Sequence, residues 1–174
     1  MAYTIIEPQS GMMPIASTDA GATAPNGATV YPTSPMFPGM IVRAKDPTYG
    51  VGEFVFLKGV ASTVVGSVVT YNATTFQTAL AAVGTNKPQP VAFAMAATTA
   101  ALWGWYQIGG LAVAAKTSGL ALASNAAIGV LTVGKIAATG TGKEVQGALT
   151  AAKATTPTTV QLVIDRPAMQ GRTT

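Results

Sequence analysis

From about Gly39 to Pro167 the apolar residues of this chain come in short runs, each soon stopped by Gly, Pro or an Asn-containing turn. Such punctuation denies a long amphipathic helix and favours many short strands. Glu53-Phe54-Val55-Phe56-Leu57 is rich in strand formers. Val60 to Tyr71 continues the pattern with a bend at Gly66, and Asn72-Ala73-Thr74 reads as a turn. Further strands are predicted at Val91–Ala96, Leu102–Ile108 and Leu111–Ala115, with weaker ones at Leu120–Ser124, Ile128–Val133, Lys135–Ala138 and Val145–Leu149. Gly109-Gly110 has the form of a two-residue hairpin turn. The clearest alternation comes last: Val160, Leu162 and Ile164 share one face, Thr159, Gln161 and Asp165 the other, and Pro167 is expected to end the strand. Only Phe76–Val83, stopped by Gly84, reads as a helix. The expected fold is mainly β, a small barrel or sandwich of short antiparallel strands with at most one short helix.

The first forty residues differ. They hold six of the eleven prolines, five of the seven methionines and no Lys or Arg, with Glu7 and Asp19 as their charges. Each proline fixes φ and removes a donor, so no apolar period survives there. Disordered tails carry more charge than this. The segment 1–39 therefore reads as an extended arm, and 40–174 as a single β domain. The arm would lie along a neighbouring subunit through Met12, Met13, Ile15, Met36 and Phe37, and would be dispensable for folding.

Composition narrows the chemistry. Cys and His are both absent, which removes disulfides, thiolate nucleophiles, imidazole acid–base catalysis and cysteine-ligated metal sites. Charged residues are 9 % of the chain, against about 25 % in an ordinary soluble domain. A surface furnished by Thr, Ala, Gly, Ser, Asn and Gln suits a protein that spends its life packed against others. The net charge is +4, but the basic residues are scattered singly, so nucleic-acid binding is not expected. The uncharged stretch from Pro88 to Ala115 is long enough for a membrane span, yet its Thr, Gln and Gly-Gly content argues for strands. With no secretory signal visible, the expected site of synthesis is the cytoplasm.

The local motifs carry little catalysis. Gly140-Thr141-Gly142-Lys143 lacks the upstream glycine and the following Ser or Thr of a phosphate loop, having Ala137 and Glu144 there. Asp46 and Glu53 flank the Pro47–Gly50 turn and could pair as carboxylates or make ordinary salt bridges. Trp103, Trp105 and Gln107 share a strand face that could stack on sugars or fill a core or subunit contact. No catalytic residue, cofactor or metal is expected.

Taken together, Gly52–Val60, Gly66–Asn72, Val91–Ala96, the Gly104-Trp105-Tyr106-Gln107-Ile108 stretch and the strand from Val160 to Pro167 resemble a family of tailed-bacteriophage head decoration (cement) proteins. The likeness covers about residues 40 to 168. It implies a non-enzymatic virion protein made in the host cytoplasm. Such proteins bind the outside of the mature major-capsid shell, often as homotrimers, and clamp neighbouring capsomers against packaged DNA. A homotrimer, or else a dimer, would be expected here. Rival readings are another virion β subunit of tail or baseplate, and a carbohydrate-binding surface module using Trp103 and Trp105.

Overall fold

The computed structural model describes residues 1–8, 12–19, 36–83, 88–100, 102–140 and 143–171. Among them every regular element is a strand: β1 (Thr4–Ile5), β2 (Thr18–Asp19), β3 (Ile41–Asp46), β4 (Gly50–Lys58), β5 (Val68–Tyr71), β6 (Thr78–Leu80), β7 (Val91–Ala94), β8 (Trp103–Ala115), β9 (Ala127–Thr132), β10 (Lys135–Ala138), β11 (Glu144–Thr150) and β12 (Thr159–Met169). They form one antiparallel sheet with the path β1-β3-β4-β8-β12-β11-β9-β10, while β5, β6 and β7 branch from β8. The path is open at β1. At its other end the chain after β8 returns to β10, where the Thr117 N–H donates to the Ile136 carbonyl (2.9 Å).

The expected helix at Phe76–Val83 is instead a turn and strand β6. Asn72 accepts the N–H groups of Thr74 and Thr75, and Phe76 takes a left-handed φ of 56° that stops any helix from starting. Leu120–Ser124 is not a strand either; Leu122 makes only an isolated bridge to Ala154. Pro167 does not end β12, which runs on to Met169. Arg166 (φ 41°) opens a bulge opposite Gly147, and a proline is tolerated at such a break in the ladder.

The largest correction concerns Gly109-Gly110. It is no hairpin turn: β8 runs straight through it for thirteen residues. Glu53 pairs with Gly109 but Phe54 with Gln107, so one residue of β8 is extra. The unpaired residue is Ile108, and Gly110, two residues on, takes a positive φ of 92°. The bulge shifts the side-chain alternation by one. Trp103 and Trp105 point to one face before it, and Ala112 and Ala114 continue that face after it. A single strand thereby serves two cores. One holds Trp103, Trp105, Phe54 and Phe56. The other gathers Ala112, Ala114, Leu162, Ile164, Ile128 and Ile136 with their neighbours. On the opposite face Tyr106 and Ile108 pack with Val55, Leu57, Val69 and Ala94.

The described parts of the first forty residues lie on their own domain, contrary to the expectation of an arm free of it. β1 pairs with β3 and β2 with β8, so the chain passes from outside one edge of β3-β4-β8 to the other. On the way Tyr3 (8 % exposed) and Ile15 (1 %) enter the aromatic core. The physical cause is the uncovered face of Phe54, Phe56 and Trp105, which an adjacent apolar segment covers at little extra entropic cost. Residues 20–35 of the proposed arm lie outside the described residues.

Candidate interaction surface

The seven residues expected to touch partners separate into two sets. Trp103 and Trp105 are 7 % and 1 % exposed. Trp105 Nε1 donates to the Met13 carbonyl at 3.0 Å, and Phe56 stacks on Trp103 with ring centroids 5.8 Å apart. Met12, Met13 and Met36 are half-buried against this same cluster, together with buried Ile15. Six of the seven thus come together, but inside the chain's own core. Both faces of this part of β8 are covered from within the chain, so the tryptophans present no solvent-facing platform. Phe37 alone stands out, 79 % exposed, at the turn leading into β3.

The carboxylates also separate. Asp46 Oδ1 accepts the N–H groups of Thr48 (2.8 Å) and Tyr49 (3.1 Å), and Oδ2 that of Ala2 (2.6 Å). Glu53 instead faces Arg43 (3.7 Å) and Arg166 (3.0 Å). The two acids therefore serve a turn and a surface charge row, and do not form a catalytic pair. Among the described residues no three His, Cys, Asp or Glu side chains gather as a metal site would need. Of the Gly140–Lys143 motif, residues 141 and 142 lie outside the described residues.

What sequence reading missed is the outer face of β4, β8, β12 and β11. Two rows of side chains cross it in register. Arg43, Glu53, Gly109 and Asp165 are consecutive cross-strand partners on β3, β4, β8 and β12. One pair of residues further along, Leu111, Val163 and Leu149 are partners in the same way. Val163 is 56 % and Leu149 47 % exposed, and Val51 on β4 is 51 % exposed. Single exposed aliphatics are ordinary, but a row of adjacent ones across several strands marks a contact surface. Between the rows the two glycines leave a shallow depression of about 330 Å³, rimmed by Val51, Glu53, Asp165 and Arg166. The alternation on β12 was a sufficient signal for Val163 facing outward. Nothing in the sequence told which outward residues of other strands would stand beside it.

Acid and base titrations follow from burial. Burial alone would raise the Asp46 carboxyl, but the three backbone N–H groups outweigh it and hold the carboxyl below the ordinary aspartate value. Burial pushes the hydroxyls of Tyr3, Tyr71 and Tyr106 above the ordinary tyrosine value. A depressed acid contributes stability that is complete above its unfolded value, about pH 4, and is lost as pH falls through the lower folded value. A raised tyrosine contributes stability that is complete below about pH 10 and is lost as pH rises through its folded value. With no histidine, the thermal midpoint should be flat from about pH 5 to 8 and fall at both ends. Asp46→Asn should flatten the acid limb. Midpoints that slope through neutrality, or an acid limb unchanged by Asp46→Asn, would contradict this account.

No protein-family model and no curated protein sequence matches the chain.

Proposed function

We propose that this chain is a phage head decoration protein, which binds the outer surface of the mature shell and clamps adjacent major-capsid subunits. One observation carries the reading: the outer face of β4, β8, β12 and β11 presents an aliphatic row, with Val163 and Leu149 exposed, beside a charge-balanced one and a shallow depression. A surface of that kind suits broad protein–protein contact, in which many modest apolar and backbone contacts add up. It offers no enclosed, polar-lined pocket of the sort a small substrate needs. The sequence likeness stated above supplies the kind of partner. A glycan platform of Trp103 and Trp105 would need their ring faces in solvent, and the core holds both.

A ligand that binds only the mature shell stabilises it by its binding free energy. Heads lacking the protein should release DNA at a lower temperature than decorated heads, and added protein should restore them. Since apolar and backbone contacts dominate, attachment should survive about 0.5 M salt, where exposed charge pairs are screened. Undecorated heads as heat-stable as decorated ones would remove the clamping role, and release at that salt would make charge the main term.

A further inference from the structure

We propose that Met12, Met13, Met36 and Met40 form an oxidation site, at which a hydroperoxide converts thioether to sulfoxide and loosens the N-terminal segment from the aromatic core. The proposal goes beyond head binding and stands on this part of the fold alone.

The chain has no cysteine, so its seven methionines are its whole complement of sulfur. Met12, Met13, Met36 and Met40 are half-buried against the cluster of Phe54, Phe56, Trp103 and Trp105. Of the other three, Met95 and Met169 are buried, and Met1 is exposed outside that cluster. Half-burial matters twice. An oxidant in solvent can reach such a side chain, and the oxygen it delivers must then sit among apolar and aromatic groups. Met36 couples the site to the backbone. Its Sδ accepts the Met13 N–H at 3.5 Å, and the Met13 carbonyl accepts the Trp105 Nε1 proton at 3.0 Å. One sulfur thus holds the residue that satisfies a buried indole. In the reaction the sulfur gives an electron pair to the hydroperoxide. The O–O bond breaks, an S–O bond forms, and the remaining oxygen leaves with the proton, as water when the oxidant is hydrogen peroxide. The sulfoxide is polar, chiral and larger by one oxygen, and a contact already close must make room for it. Displacing Met13 leaves the Trp105 donor unpaired, which a buried N–H does not tolerate cheaply. Reductases specific for each sulfoxide epimer reverse the change.

The test treats the full chain with millimolar hydrogen peroxide, locates the sulfoxides by peptide mass, and reads the thermal midpoint and tryptophan emission. Met12, Met13, Met36 and Met40 should oxidise before Met95 and Met169. The midpoint should fall by at least about 5 °C, and the emission should move to longer wavelength as the indoles meet water. Methionine sulfoxide reductases of both epimer specificities should restore both signals. Met36→Leu conserves volume and should lose at least half of the peroxide-induced fall. Should that variant fold poorly, the reductase reversal on the wild type still decides. Four thioethers left intact overturn the proposal, as does an unchanged midpoint after they are oxidised. A fall that follows oxidation of Met95, Met169 or tryptophan, or one that Met36→Leu leaves whole, also overturns it. DNA retention by heads is read separately, so either proposal can fail without the other.

Discussion

Deleting residues 2–19 should lower the thermal midpoint by at least about 15 °C. The segment places Tyr3 and Ile15 in the aromatic core; such burial contributes about 1.5–3 kcal/mol for each side chain. Its removal also uncovers Phe54 and Trp105, strips Trp105 Nε1 of the Met13 carbonyl, and leaves Asp46 without the Ala2 N–H. Against a total stability of about 5–15 kcal/mol, losses of that size take most of the margin. Calorimetry of the truncated chain checks it. An unchanged midpoint would mean that these contacts contribute nothing and that the segment is dispensable for folding after all.

Gly110→Ala is expected to destabilise by about 3 kcal/mol, through strain and overpacking together. At φ 92° an L side chain is strained, and an added Cβ would stand 2.4 Å from the Val51 carbonyl oxygen and 3.1 Å from Gly52 Cα. Both are backbone atoms of the paired strand and cannot swing aside. Gly119→Ala is the control: its φ is 76°, but nothing lies within 4 Å of the new carbon. That change should cost about 1 kcal/mol. Chemical denaturation of the two variants separates crowding from φ strain alone, and equal losses would show that the approach of β4 to the bulge is not tight.

The same glycine pair shows where sequence reading stopped. Two apolar runs joined by Gly-Gly satisfy the local chemistry of a hairpin and of a bulge equally well. The choice is made by β4 and β12, which hold β8 from both flanks and straighten it. Alternation within a strand was legible: β12 buries Val160, Leu162 and Ile164 as its pattern required. β10 was legible to its ends because Gly134 and Gly140 bracket it. The burial of Ile15 was not legible, because proline density erases the period by which core positions are found, and only the open aromatic face makes Ile15 a core residue. Phe76–Val83 looked helical by composition, yet the Asn72 side chain had already turned the backbone. Of the candidate surface, Val163 could be inferred to face outward. Its neighbours Leu111 and Leu149 could not, since register between distant strands is a tertiary property.

The continuity of β8 has a mechanical consequence. One unbroken strand belongs to both cores, flanked by β4 along its first half and β12 along its second. Tension applied along it does not peel hydrogen bonds open one at a time. It loads the rows on both flanks in shear, so that many must yield together. Neither core can slip without dragging the other. A subunit gripped at one end of this strand and held at the other would therefore transmit load as a short stiff tie, with the bulge at Ile108 as the place where its two halves are joined.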